Sequence, residues 1–195
     1  NSSLTLLISD QLRRQLSLLD SLVNEDQLVD QRMAYPLQKL VESMAANSDD
    51  AWDKLVEEWR VKPELDAELL APLRDYQKES VVWAAHLSQH GFGACLADDM
   101  GLGKTLQGLT LLSHYRAQGP SMVVCPKSVL TNWQQEAERF TPQLVMIDLE
   151  ACDDRLAAIK AAGPNDGVVL SYGLVTRLAE ALNEVEWNCA VLDEA

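Results

Sequence analysis

The residues from Met100 to Thr105 read Met-Gly-Leu-Gly-Lys-Thr and lie between an apolar run and an amphipathic stretch. A strand, a glycine-rich turn and a helix in that order are typical of a phosphate-binding loop. The glycines let backbone N–H groups crowd around a phosphate, and the helix N-terminus adds partial positive charge. Lys104 would reach the β- and γ-phosphates of a nucleotide, and Thr105 would bind Mg²⁺ through its hydroxyl. Asp98 stands where the general pattern has glycine, and a glycine-rich turn with a chance Lys-Thr pair is the structural alternative.

An acidic pair, Asp193 and Glu194, follows the apolar run Ala190-Val191-Leu192. In a doubly wound sheet, ligands bind at the carboxyl ends of the strands, which is where this pair would stand. Asp193 would then bind Mg²⁺ through water, and Glu194 would orient and deprotonate an attacking water molecule. The structural alternative is a strand that simply ends in a charged turn, which would have the same sequence. The position of the pair after a phosphate loop in the same predicted sheet is what makes it a candidate site.

The residues from Leu73 onward alternate between helix-like and strand-like patterns. The apolar runs between the amphipathic stretches are continuous, which is typical of a parallel sheet covered by helices on both faces. The sequence therefore predicts an α/β fold from this residue onward. The predicted helices are 74–90, 104–116, 128–140, 153–162 and 174–182, and the predicted strands are 93–97, 121–125, 144–149, 168–171 and 189–192.

Residues 1–72 have a different texture, rich in Leu, Gln, Asp and Glu and without glycine. Apolar residues recur at helical spacing in three stretches, which predicts a small all-α accessory segment. Pro63 and Pro72 bracket its join to the α/β part, so the predicted domains are 1–72 and 73–195. Amphipathic helices usually pack on a neighbour, and other protein subunits are candidate partners. The predicted apolar faces are Leu12, Leu16, Leu19 and Val23; Leu37, Leu40, Val41 and Met44; and Trp52, Leu55, Val56 and Trp59 in a helix over 50–60.

Composition and signals along the chain exclude several classes of protein. The 195 residues are 47% hydrophobic and 24% charged, as in ordinary globular proteins. The chain has no run of eighteen apolar residues, and its start lacks the features of a secretory signal. We therefore expect a cytoplasmic or nucleoid-associated protein without membrane contact. The missing initiator Met suggests that the sequence was taken from a longer one.

The cysteines and histidines do not predict a zinc site. The four cysteines, at 95, 125, 152 and 189, include no Cys-x-x-Cys pair. Cys95, Cys125 and Cys189 lie in apolar runs, which predicts buried thiols in a reducing compartment. His86 and His90 are one helical turn apart, a spacing that metal ligands use. They close a predicted helix, where cations suit the dipole, and no third ligand is evident.

Five segments between Leu73 and Ala195 resemble, in order and in spacing, the motifs of the Swi/Snf-type ATPases, a branch of the superfamily-two helicase-like motors. That family has Asp where the general phosphate loop has Gly, which accounts for Asp98. Residues 1–72 match no family motif. The segments are Leu73-Arg74-Asp75-Tyr76-Gln77, Leu96 to Gln107, Val123 to Trp133, Leu170-Ser171-Tyr172-Gly173 and Asp193-Glu194-Ala195.

The resemblance implies a RecA-like P-loop lobe that binds ATP and Mg²⁺. Hydrolysis would proceed by Mg²⁺-assisted in-line attack of water. The implied catalytic residues are Lys104, Asp193 and Glu194, and the Mg²⁺ ligands are Thr105 and Asp193. Gln77 would contact adenine with support from Arg74, although its pattern alone predicts only the start of a helix. The implied nucleotide-binding set is Arg74, Gln77, Asp99, Met100, Gly101, Leu102, Gly103, Lys104, Thr105 and Leu106.

The resemblance also implies translocation on double-stranded DNA, with contacts to phosphates rather than base edges. The implied DNA-facing residues are Pro126, Lys127, Ser128, Ser171 and Tyr172. Simpler interpretations exist: Pro126 could simply end a strand, Ser128 could simply cap a helix, and the nearby Trp133 is expected in the core. The net charge of −14, shared about equally before and after Leu73, argues against tight DNA binding by this chain alone.

Two other functions stay open at this stage. One is a different superfamily-two motor, such as an RNA helicase or a restriction-type translocase subunit. Asp98-Asp99-Met100 and Asn132-Trp133 favour the Swi/Snf type instead. The other is a non-catalytic nucleotide-binding module, against which the intact Lys104 and Glu194 argue. The family's motors also need a second lobe of the same full-length chain, whose arginines stabilise the transferring phosphate.

Overall fold

The computed structural model describes residues 17, 34–43, 50–66 and 72–194. The chain divides into two compact units, Asn1–Lys62 with Ser88–Phe92, and Pro63–Leu87 with Gly93–Ala195. Helix α3, Asp75–Gln89, belongs to the second unit except for its last two residues. In the described part of the chain, no helix is both long and apolar enough to cross a membrane.

The first unit contains helices α1, Ala34–Ser43, and α2, Asp50–Arg60. The predicted helix over 50–60 is confirmed, and its apolar side is the buried one, with Val56 and Trp59 in the interior. Trp52 donates from Nε1 to Gln38 Oε1 at 2.7 Å, which ties the two helices together. The predicted face Leu12, Leu16, Leu19 and Val23, and Met44 of the next face, lie outside the described residues.

The second unit contains a sheet of four parallel strands in the order β2-β3-β1-β4. These are β1, Ser121–Cys125; β2, Val145–Asp148; β3, Asp166–Ser171; and β4, Cys189–Leu192. Val123 of β1 is in register with Val169 of β3 and Val191 of β4. The predicted parallel α/β fold is confirmed. The helices that follow α3 are α4, Lys104–Tyr115; α5, Leu130–Phe140; α6, Arg155–Ala161; α7, Tyr172–Arg177; and α8, Ala179–Asn183.

Helices cover both faces of this sheet. On one face, Val123 and Val169 pack with residues of α4 and α5, among them Leu109 and Trp133. Neighbouring strand residues such as Val168 point to the opposite face, because side chains alternate along a strand. There they pack with residues of α6, α7 and α8, including Ile159, Leu174 and Leu182. The continuous apolar runs of the sequence are thus explained by burial on both sides.

The predicted strand over 93–97 is wrong. Residues 92–99 have no regular secondary structure, and Cys95 is exposed. A strand is stable only when a neighbour completes its hydrogen bonds, and no described strand pairs with this segment. The predicted helix over 174–182 is also two helices, since the backbone at Leu178 leaves the helical conformation.

The helix predicted from Ser128 is preceded by a short 3₁₀ turn, Lys127–Val129. The α-helical part, α5, begins at Leu130 and receives no side-chain cap. The interpretation of Ser128 as a helix cap is therefore wrong, because this residue lies within the preceding turn. Pro126 ends β1 as expected, since it has no N–H to donate to a neighbouring strand.

Candidate functional site

The predicted phosphate loop turns sharply before α4. Gly101 and Gly103 have φ of 85° and 77°, in the left-handed region that L side chains seldom adopt. Gly103 immediately precedes α4, whose first N–H groups have no acceptor within the helix. A second feature disfavours a side chain at 103, because a Cβ there would lie 2.6 Å from Gln77 Nε2 and the Gln77 amide would have to shift. The loop thus presents backbone donors with little side chain in the way.

Lys104 bonds to the backbone of its own loop. Its Nζ donates to the carbonyl oxygens of Asp98 at 2.7 Å and Asp99 at 3.2 Å. Thr105 follows in the first turn of α4 and is half-buried, whereas Met100 is largely exposed. The ammonium and the helix N-terminus together place positive charge at the loop. An anion bound to the loop would compete with the two carbonyls for the ammonium.

Gln77 packs against the phosphate loop and is only 6% exposed. Its Nε2 donates to the Leu102 carbonyl at 3.0 Å, and its Oε1 accepts from the Arg74 backbone N–H at 3.0 Å. The Tyr76 hydroxyl also donates to Leu102, at 3.0 Å. Both ends of the Gln77 amide are therefore engaged within the chain. The structure places Gln77 beside the loop, while Arg74 is exposed and contacts Gln77 through its backbone. The predicted contacts of both residues with adenine stay predictions.

The acidic pair lies at the end of β4. The Asp193 N–H donates to the Val124 carbonyl at 2.8 Å, and the Asp193 carbonyl accepts from the Tyr172 hydroxyl at 2.9 Å. The Asp193 carboxylate accepts from Trp133 Nε1 at 2.9 Å. Glu194 is exposed and has φ of 56°, a conformation uncommon outside glycine. Backbone and indole thus fix Asp193, while Glu194 projects into solvent.

Trp133 is a functional candidate that sequence reasoning assigned only to the core. It is buried as predicted, at 2% exposed. Its indole also lies close to α4, because a Cβ on Gly108 would come within 2.8 Å of Trp133 Cη2. A single side chain therefore contacts both the phosphate-loop helix and the carboxylate of Asp193. The Asn132-Trp133 pair marked this residue in the sequence, but nothing there predicted a partner sixty residues away.

Negative charge gathers at the carboxyl ends of β1 and β4. Burial raises the pKa of the Cys125 thiol to about 11, with further contributions from Asp193 and Asp148. Burial also raises the pKa of the Tyr172 phenol, and Asp193 is the next cause. Oxygen ligands with negative charge suit Mg²⁺.

The residues predicted to face DNA do not form one uniform surface. Lys127, Ser128 and Tyr172 are exposed, Pro126 is partly exposed, and Ser171 is buried at 4% exposed. Lys127 and Ser171 meet at a carboxylate that sequence reasoning did not single out. Glu150 Oε2 lies 3.1 Å from Lys127 Nζ, and Glu150 Oε1 accepts from the Ser171 hydroxyl.

The cysteines are all unpaired thiols. Cys125 is buried as predicted and Cys189 is partly buried, but the predicted burial of Cys95 is wrong because its segment forms no strand. His90 stacks on Trp59 with ring centroids 4.0 Å apart. Among the described residues, no group of three His, Cys, Asp or Glu side chains could hold a metal ion.

Comparison with known proteins matches this chain to one family. The family model described as the SNF2-related domain matches residues 76–195. The human SWI/SNF-related matrix-associated actin-dependent regulator of chromatin subfamily A member 1 is 41% identical over 132 residues, which cover 64% of this chain and 13% of that protein. An Arabidopsis thaliana ISWI chromatin-remodeling complex ATPase is 38% identical over 131 residues, or 63% of this chain and 12% of that protein.

A solved structure, the Sulfolobus solfataricus SWI2/SNF2 ATPase core in complex with dsDNA, superposes with a TM-score of 0.59 at 38% identity. The superposition covers 69% of this chain and 28% of the archaeal chain. This chain therefore spans a small part of the length of the relatives it matches. The match extends over the phosphate loop and the acidic pair, and the sheet and helices around them are those of the RecA-like ATPase core. By sequence and by fold, the chain belongs to the SNF2-related domain family.

Proposed function

We propose that this chain is the ATP-binding lobe of an ATP-dependent translocase that moves on double-stranded DNA. The observation that carries the proposal is that one edge of the sheet holds both candidate sites. Asn188, just before β4, donates to the carbonyl of Tyr115, the last residue of α4. Since the end of α4 lies at the amino edge of the sheet, its beginning, with Lys104, lies at the carboxyl edge where Asp193 stands.

The residues at this edge fit a nucleotide with Mg²⁺. The positive-φ glycines leave backbone N–H groups accessible to phosphate oxygens. Asp98 Oδ2 and Gln107 Oε1 are buried acceptors without a hydrogen-bond partner among the described residues. The Thr105 hydroxyl and the Asp193 carboxylate are oxygen ligands, which Mg²⁺ prefers to nitrogen or sulfur.

Each residue then has a chemical task in ATP hydrolysis. Lys104 would donate to the β- and γ-phosphate oxygens in place of its present carbonyl acceptors. Thr105 and Asp193 would hold Mg²⁺, which when bound neutralises charge that develops on the phosphates. Glu194, exposed at the end of β4, would accept a proton from the attacking water. The Trp133 indole would keep Asp193 in one orientation.

The DNA part of the proposal rests on Lys127 and on the family. The similar archaeal core was solved with double-stranded DNA, and the SNF2-related domain model matches residues 76–195, which include the segment after β1. Lys127 is exposed at the carboxyl edge, where it could contact a backbone phosphate without reading bases. We expect this lobe alone to bind DNA weakly, because it offers few cations against a net charge of −14.

The experiment is ATP hydrolysis by the full-length protein with double-stranded DNA, single-stranded DNA or RNA added, and with Lys104→Ala as the control. We expect stimulation by duplex DNA and loss of turnover in the control. RNA as the stronger activator would favour an RNA helicase instead. Wild-type turnover in Lys104→Ala would remove that lysine from the site. Residues 1–195 alone should hydrolyse ATP far more slowly, since the arginines of a second lobe are worth several orders of magnitude.

A further inference from the structure

Three strands of the sheet bring Lys127, Glu150 and Ser171 together at their carboxyl ends. Lys127 follows β1, Glu150 follows β2, and Ser171 is the last residue of β3. Each carboxylate oxygen of Glu150 contacts one of the other two residues. Oε2 lies 3.1 Å from Lys127 Nζ, and Oε1 accepts from the Ser171 hydroxyl. This group, here called the Glu150 cluster, contains two donor side chains of the predicted DNA-facing set, one that follows β1 and one at the end of β3.

The carboxylate of Glu150 is held in place rather than loosely exposed. Its side chain is 18% exposed, while that of Lys127 is 67% exposed. The Glu150 N–H donates to Asp148 Oδ1 at 2.8 Å, and the Glu150 carbonyl accepts from Arg155 Nη2 at 3.2 Å. The Ser171 hydroxyl and the Lys127 ammonium hold the pKa of Glu150 below its usual range. The carboxylate is therefore charged at neutral pH and points at the two donors.

We propose that Glu150 competes with DNA phosphates for Lys127, so that DNA binding at this rim is an exchange of one anion for another at that lysine. The inference rests on the proposed function, because it takes Lys127 as a DNA contact. A phosphate and a carboxylate accept hydrogen bonds from the same ammonium and hydroxyl donors. A phosphate that reaches Lys127 therefore displaces Glu150 from it and also approaches a second negative charge.

The competition should be modest and sensitive to salt. Lys127 is mostly in solvent, and exposed ion pairs are weak. Glu150→Gln should raise the affinity for duplex DNA by roughly one and a half- to fivefold at low salt. The amide still accepts from Ser171 but no longer attracts Lys127. Because a released Lys127 would add about one phosphate contact with counterion release, the plot of log K against log salt should steepen by up to about one unit.

The test is fluorescence anisotropy of a labelled DNA duplex of arbitrary sequence, titrated with the 195-residue chain at two or more salt concentrations. The matched control is Asp153→Asn, which removes one exposed negative charge close by in sequence. A second variant, Glu150→Asp, keeps the charge but withdraws the carboxylate from Lys127. Circular dichroism of each variant checks folding.

We expect tighter binding for Glu150→Gln, a smaller gain for Glu150→Asp, and none for Asp153→Asn. In the Lys127→Met background, Glu150→Gln should give no gain. Unchanged or weaker binding of folded Glu150→Gln overturns the inference, as does an equal gain in Asp153→Asn or one that survives in the Lys127→Met background. If Glu150→Gln does not fold, Glu150→Asp decides in the same way. If neither the wild-type chain nor any variant binds duplex at the lowest salt, the DNA-facing assignment in the proposed function fails with it.

Discussion

Replacing Gly103 and Gly101 with alanine separates two reasons for glycine in the phosphate loop. Both have positive φ, 77° and 85°, so an alanine is strained at either position. They differ in what a Cβ would meet. At Gly101 nothing lies within 4 Å, whereas at Gly103 the Gln77 amide nitrogen is 2.6 Å away. Gly101→Ala is therefore a matched control for the contact between the loop and Gln77.

The magnitudes follow from these contacts. A side chain in the left-handed region costs about 1–2 kcal/mol, which both substitutions share. Gly103→Ala must also move the Gln77 amide, which breaks its 3.0 Å hydrogen bond to the Leu102 carbonyl. A lost hydrogen bond that leaves a buried polar group unpaired costs about 1–3 kcal/mol. We expect Gly101→Ala to lower the free energy of unfolding by about 1–2 kcal/mol and Gly103→Ala by about 2–5 kcal/mol.

Urea unfolding of the chain and of both variants measures these differences. Nucleotide titration of the same proteins shows whether nucleotide affinity falls in the same order as stability. The contact with Gln77 is tested directly in the Gln77→Ala background. There the cost of Gly103→Ala should fall to that of Gly101→Ala, because the clashing amide is gone. Equal costs for the two glycines in the wild-type background would refute the reasoning and would mean that Gln77 moves aside freely.

Three further predictions concern the acidic pair and the thiols. In the full-length protein, Glu194→Gln should keep ATP binding but lower turnover by about two orders of magnitude or more; loss of binding in step with rate would make Glu194 structural. Trp133→Phe removes the donor to Asp193 and should raise the Mg²⁺ concentration needed for nucleotide binding, and an unchanged Mg²⁺ titration would contradict that role. Burial raises the pKa of Cys189 to about 11, as it does for Cys125, so at pH 8 a thiol reagent should modify Cys95 before either of them, as peptide mapping would show.

The sequence predicted those parts of the fold whose signals are local. Strands β1 and β4 have the predicted bounds, because each is a short apolar run, one of them closed by Pro126 and the other by Asp193. The run over 93–97 has a similar texture but forms no strand. Whether an apolar run becomes a strand depends on a pairing strand elsewhere in the chain. The sequence of the run itself does not identify that strand.

The same limit applies to the site. The loop glycines and the acidic pair were predicted from order and spacing. The bond from Trp133 to Asp193 and the position of Glu150 beside Lys127 depend on the strand order β2-β3-β1-β4, which a single sequence does not give. Glu150 also lies outside every segment that resembles a family motif, so no local signal marked it.

The two lysines on which the proposed function depends are both already bonded to oxygens of the protein. Lys104 donates to two carbonyls of its own loop, and Lys127 pairs with Glu150. In an acidic chain, oxygens of the protein thus engage the cations that the proposed function assigns to ATP and to DNA. Either ligand must exchange with an internal partner, so part of its binding energy is used to break that contact. Under the proposed function, we expect this exchange to lower the affinity of the lobe for both ligands. Contacts from a second lobe would add attraction without a matching internal competitor. We therefore expect those contacts to be the source of tight binding.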